Sequence, residues 1–152
     1  LALMASPTAC PTHTGLWDPP LGHPLRISET YSLPNGPYRA GHRGIDLPAT
    51  VGDPVRAPVT GTVSFVGKVV DRPVLSIRID EHTTVSFEPV TSDLSEGDPV
   101  FRGGVFGSVG ARETTDGAEH CATACLHLGV RVDGEYVNPL RFLRSKPVLL
   151  PW

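Results

Sequence analysis

From residue 45 onward, apolar residues recur at every second position in short runs that stop at Gly, Pro or Asp. That period marks strands with one face buried. Gly61-Thr62-Val63-Ser64-Phe65-Val66-Gly67 sets small polar residues between apolar ones and predicts a strand with Val63 and Phe65 on one face. Arg72 to Asp80 and Thr83 to Glu88 read as a hairpin turning at Glu81-His82. Asp53 to Pro58 is an extended piece, Gly97-Asp98-Pro99-Val100 opens another strand, and Val105 to Gly110 follows as the next. Leu126 to Val132 alternates again, and Asp133-Gly134 is a two-residue turn signal. Ala111 to Ala124, acidic and Gly-containing, reads as a loop. Only Asn138 to Leu143 suggests a helical turn, with Asn138 as cap and Pro139 at the first position. The expected class is all-β and antiparallel.

One pattern occurs twice. Gly52-Asp53-Pro54-Val55 followed by Gly61 to Gly67 is echoed by Gly97-Asp98-Pro99-Val100 followed by Phe106-Gly107-Ser108-Val109-Gly110. Duplicated β units packed face to face suit a β-sandwich or flattened barrel, although shared turn chemistry gives the same spelling. Residues 10 to 40 are rich in Pro and Gly, with Trp17, Leu21, Leu25, Ile27 and Tyr31 spaced as anchors. They predict an extended arm wrapped on the domain. The chain divides into a leading piece (1–9), the arm (10–37), the domain (38–143) and a tail (144–152). Residues 1–9 read as a signal-peptide remnant cleaved after Ala5 or Ala9, or as a disordered tail. Lipidation at Cys10 is a weaker variant, because Pro7 stands where Leu is usual.

A length of 152 residues fits one domain with a real core. Gly 16 and Pro 16 leave a composition poor in helix formers. A net charge of -3 gives no electrostatic reason to expect nucleic acid. No apolar run is long enough to span a membrane. Of the three Cys, Cys121 and Cys125 are near enough to bridge outside the cytoplasm, which leaves Cys10 over.

The candidate chemistry begins at Gly41-His42-Arg43-Gly44-Ile45-Asp46-Leu47 and resumes at Cys125-Leu126-His127-Leu128-Gly129-Val130. Side chains four apart on a strand share a face, so His42 and Asp46 can point the same way. Two imidazoles and one carboxylate on neighbouring strands make a three-ligand zinc set with a fourth position open. A buried His–Asp pair and a lone core His are the plainer alternatives. Arg43 could meet a substrate carboxylate or simply be solvated. His13, His23 and His82 have no partner spacing and are expected at the surface.

The order of these pieces resembles the lysostaphin/LytM-type zinc endopeptidases, which cut peptide cross-links in bacterial peptidoglycan. The residues that carry it are His-x-x-x-Asp, Gly-Asp-Pro-Val, a Gly-Thr-Val strand, a second Gly-Asp-x-Val turn, Gly-x-Val-Gly, x-His-Leu-Gly-Val and Asn-Pro-Leu, from Tyr38 to Leu143. The resemblance implies an antiparallel β fold with a substrate groove. It implies one zinc per chain, held by His42, Asp46 and His127, and peptide-bond hydrolysis in stem peptides or cross-bridges. It also implies a secreted or cell-envelope protein that acts as a monomer on peptidoglycan peptides.

Two positions depart from that family. Its His-x-His motif reads Cys125-Leu126-His127 here, and its Tyr-x-His-Leu strand reads Phe87-Glu88-Pro89-Val90. Cys125 and Pro89 thus stand where helper histidines are usual. With His120-Cys121 upstream, the chain is similar to an actinobacterial-type branch. His120 is the candidate substitute helper, or else an exposed loop His. Glu88 and Glu119 are candidate carboxylate bases, or solvated charges. Strand alternation beside Pro89 predicts that Glu88 points away from the site unless Pro89 bends the strand. Cys125 could instead be a fourth zinc ligand that closes the site. A degenerate module that binds peptidoglycan or a cell-wall hydrolase without cutting is the second reading, and a metal-free β-sandwich binding domain the third.

Overall fold

The alternation in the last long strand organises the fold. Leu126, Leu128 and Val130 are fully buried, and His127 and Arg131 face the opposite way. The computed structural model describes residues 17–33, 41–111 and 124–143. Among the described residues there are ten strands: β1 (Ile45–Ala49), β2 (Pro54–Arg56), β3 (Gly61–Val69), β4 (Arg72–Arg78), β5 (Thr83–Glu88), β6 (Val90–Thr91), β7 (Pro99–Val100), β8 (Val105–Val109), β9 (Ala124–Val132) and β10 (Glu135–Val137). A 3₁₀ turn, Pro139–Arg141, follows; the Asn138 side chain accepts from the Leu140 N–H at 3.1 Å, as its sequence anticipates.

All the strand pairs are antiparallel. A large curled sheet runs β1-β9-β5-β4-β3-β7, with β10 also on β9, and a small sheet runs β2-β8-β6. The core lies between them. Ile45, Leu75, Ile77, Val85, Phe87 and Leu128 come from the large sheet, and Val55, Val90, Phe106 and Val109 from the small one. Each fully buried Leu, Ile or Phe is worth about 1.5–3 kcal/mol. A one-residue slip of β9 would turn Leu126, Leu128 and Val130 outward and His127 inward, so core packing fixes the direction of His127.

The sequence repeat is a structural repeat. Gly52 and Gly97 sit at φ +94° and +93°, a left-handed conformation that suits Gly. The Asp53 carboxylate accepts from the Thr50 N–H and the Asp98 carboxylate from the Ser95 N–H, each at 2.8 Å. The two copies exchange partners: β2 of the first pairs with β8 of the second, and β7 of the second with β3 of the first. The units are therefore interlocked.

The arm, where described, is extended. Trp17 is buried against Phe142, with ring centroids 4.6 Å apart, and bridges to Leu143. Glu29 and Ser32 bridge to Asp46 and His42. His82 is exposed but partnered: its ring lies 2.6 Å from the Asp133 carboxylate and ties the β4–β5 turn to the β9–β10 turn.

Two expectations need correction. Val63 is 1% exposed but Phe65 is 37% exposed, because a register shift between them in the β3–β4 pairing moves Phe65 to the opposite face. Glu88 does not point away from the site. It lies directly opposite His127 across β5 and β9, and residues directly opposite on antiparallel strands share a face. Pro89 is the buried neighbour, its carbonyl accepting from the Gly110 N–H at 2.9 Å.

Candidate metal centre

Asp46 lies opposite His127 in the β1–β9 ladder, and His42 comes from the segment just before β1. Backbone bonds to the arm hold both ends of that segment: His42 O accepts from Ser32 N at 3.0 Å, and Asp46 O from Ser28 N at 2.8 Å. One carboxylate oxygen of Asp46 then faces both rings. Its Oδ1 is 3.2 Å from His42 Nε2 and 2.7 Å from His127 Nδ1. The ring centroids are 5.1 Å apart and the planes meet at 74°. The three donors lie within 4.8 Å of one another.

These residues fit a zinc ion, and the fit rests on the chemistry of the donors. His42 Nδ1 is 2.9 Å from the Thr30 carbonyl oxygen, which only accepts, so Nδ1 carries the hydrogen. The lone pair of neutral His42 is then on Nε2, aimed at a carboxylate oxygen. Two acceptors in contact need a positive charge between them, either a proton on His42 Nε2 or a metal ion. Ligands placed tetrahedrally at about 2.0–2.1 Å from zinc are about 3.3 Å apart, close to the His42–Asp46 spacing. Burial would raise the Asp46 carboxyl, but the hydrogen bond and charge of His127, then those of His42, outweigh it and hold it below its usual 3.8.

The exposed face beside this cluster is a groove ordered by the sheet register. The first row is Asp46, His127 and Glu88. Arg72 donates to Glu88 at 3.3 Å from the next strand. The second row is Gly129, Ser86, Ser76 and Phe65. It is a floor of small residues with one aromatic wall, and Ser76 and Ser86 share a 2.7 Å hydrogen bond. The third row is Tyr136, Arg131 and Thr84.

Cys125 is not in the donor cluster; its sulfur lies 3.6 Å from the Ser28 hydroxyl. His120, Glu119 and Cys121 lie outside the described residues, and with them the Cys121–Cys125 pairing. Sequence reasoning missed the Thr30 carbonyl behind His42 and the need for glycine at position 44. A Cβ on Gly44 would collide with the Leu128 carbonyl and stand 2.8 Å from His127 Nε2. Gly44→Ala is therefore expected to cost about 1–3 kcal/mol and to weaken metal binding about tenfold or more. A thermal melt and a zinc titration check both.

Residues 40–139 match peptidase family M23. The chain belongs to this family. An uncharacterised protein of Mycobacterium tuberculosis is 35% identical over 151 residues, covering 93% of this chain and 58% of that protein. One from Mycobacterium bovis matches to the same extent, so the chain spans 58% of the length of these relatives. Among solved structures, a zinc-containing peptidase from Vibrio cholerae superposes with a TM-score of 0.69 at 19% identity, over 84% of this chain and 39% of that one. Csd3 of Helicobacter pylori gives 0.69 at 26% identity, over 88% and 36%. The catalytic domain of the prophage-encoded M23 protein EnpA from Enterococcus faecalis gives 0.65 at 24% identity, over 82% and 96%. M23 proteins are typically metallopeptidases, and this M23 chain has the curled antiparallel sheet of that fold.

Proposed function

We propose that this M23 chain is a zinc metalloendopeptidase of the bacterial cell wall, acting outside the cytoplasm on peptide bonds of peptidoglycan stem peptides or cross-bridges. The observation that carries the reading is one row of side chains. Asp46, His127 and Glu88 stand side by side on the open face, with His42 closing the donor set. His42, Asp46 and His127 would hold zinc, which when bound polarises a carbonyl and activates water as a nucleophile.

The rest falls to the chain's own groups. A peptide laid in the groove passes over the Gly129, Ser86 and Ser76 floor, where the absence of large side chains lets a backbone approach. Glu88 faces the same opening. Its carboxylate takes a proton from the attacking water and returns it to the amine released as the C–N bond breaks. Arg72 holds the Glu88 carboxylate in place. Thr30 keeps the His42 ring in one tautomer.

The test is digestion of purified peptidoglycan by zinc-loaded and by chelator-treated protein, with new amino termini counted by mass spectrometry. Cleavage by the loaded protein alone supports the proposal. Cys125, at a usual helper position, favours a second reading: a module that binds peptidoglycan or regulates a cell-wall hydrolase without cutting. Zinc bound at one per chain with no new termini would select that reading.

A further inference from the structure

The third row of the groove has chemistry that bond hydrolysis does not require. Arg131 lies opposite Tyr136 across the β9–β10 turn, and its guanidinium carbon is 5.7 Å from the Tyr136 ring centroid. The Arg43 guanidinium carbon is 5.5 Å from the same centroid. Two cations thus lie against one aromatic ring, each at a distance suited to cation–π attraction. Among the described residues, Arg72 and Arg102 have carboxylate partners, but neither Arg43 nor Arg131 forms an ion pair. Glu135 and Tyr136 are adjacent on a strand, so the Glu135 carboxylate is on the other face. The residue opposite Arg131 on β5 is Thr84, which is neutral.

This cationic pair adjoins the metal centre. A Cβ built on Gly129 would be 3.2 Å from the Arg43 carbonyl oxygen, 3.6 Å from the Tyr136 ring and 3.8 Å from His127 Nε2. All three groups border the gap that Gly129 leaves. His127 and Arg131 are four residues apart on one face of β9, about 13 Å between Cα atoms. Two guanidinium groups gathered at one ring without a carboxylate partner raise the local positive potential and favour an anion there, and a planar carboxylate matches the guanidinium fork.

The geometry points to a carboxylate-binding subsite formed by Arg43, Arg131 and Tyr136, which selects peptides with a free carboxylate two to four residues from the bond at the metal centre. It rests on the reading of the groove as a peptide site. The carboxylate belongs to a side chain or to a chain terminus. Tyr136 positions both guanidinium groups and supplies an apolar wall to the ligand's stem.

The test uses zinc-loaded full chain carrying Glu88→Gln, which retains the metal ligands and suppresses turnover. The probes are synthetic peptidoglycan stem peptides in matched pairs, carboxylate against carboxamide, with the change made either at a side chain or at the C-terminus. Binding is read by calorimetry. The expected result is about tenfold tighter binding of the carboxylate form. Adding Arg131→Gln should reduce that ratio to about threefold, and adding Arg43→Gln as well should bring it to one. Arg131→Lys, which keeps charge but not the fork, should fall between. The pair that shows the ratio identifies the source of the carboxylate. Equal affinity for carboxylate and carboxamide in every pair would overturn the subsite, and this comparison needs no arginine variant to fold. A ratio unchanged in the double variant would overturn it too. Because binding is read without cleavage, failure here is distinct from failure of the digestion assay. A ratio of ten with no cleavage by the wild type would keep the subsite and remove the enzyme.

Discussion

Asp46→Asn should leave the chain folded but almost without metal: zinc falls from one per chain to near zero, and peptidoglycan cleavage falls below detection. The carboxamide is nearly isosteric, and the backbone bonds of Asp46 to Ser28 and Glu29 do not involve its side chain. What disappears is the single anionic oxygen that faces both imidazoles at 3.2 and 2.7 Å. Without that charge two neutral rings remain, and affinity should drop by a hundredfold or more. Metal analysis after dialysis, alongside circular dichroism, separates metal loss from unfolding. A pH series gives an independent check. Asp46 is held below its usual 3.8 by His127 and His42, so its contribution to stability is present above pH 3.8 and is lost as pH falls through the lowered value. The stability gap between wild type and Asp46→Asn should accordingly be open at neutral pH and close in acid. A zinc-replete, active Asp46→Asn protein would remove Asp46 from the ligand set.

Glu88→Gln should behave differently. Zinc content should stay at one per chain while turnover falls by about 10²- to 10⁴-fold, the range for loss of a general base. Gln keeps the size and one acceptor oxygen for Arg72, and the 3.3 Å Arg72–Glu88 pair is partly exposed. Its loss should therefore cost at most about 1 kcal/mol of stability. Single-turnover cleavage with a stem peptide, with zinc measured in the same preparation, gives both readouts. Full activity in the variant would move the proton-handling role elsewhere, with His120 the next residue to substitute.

The sequence made much of this readable, and the failures have specific causes. The Leu126, Leu128 and Val130 alternation is enough to place His127 on the face away from the core. The sequence puts His42 and Asp46 on one face by strand alternation; they do meet, but through a bend at Gly44 just before β1 and not along one strand. The Pro139 turn and its Asn138 cap follow from local chemistry. Phe65 was misplaced because alternation assumes an unbroken ladder, and the β3–β4 register shift has no spelling of its own. Glu88 was misplaced for another reason: the motif count put Pro89 at the site, whereas the β5–β9 pairing puts Glu88 opposite His127. That pairing joins residues far apart in sequence, and no local rule fixes it. The Arg131–Tyr136 pair was within reach, because a two-residue turn at Asp133-Gly134 dictates that the flanking residues pair in that order. Arg43 is legible in the sequence as a possible contact for a substrate carboxylate or as a solvated charge; its place near Tyr136 depends on β1 and β10 flanking β9.

The β1–β9 pairing also governs when the centre can come into being. His42 and Asp46 are synthesised early and His127 late, and Asp46 meets His127 across a separation of 81 residues. Closing so long a loop is entropically unfavourable until the strands between are in place. On the reading of this cluster as a metal site, a partly folded chain would present His42 and Asp46 without His127 beside them. Metal uptake should then report the completed pairing of β1 with β9, not the appearance of either strand alone.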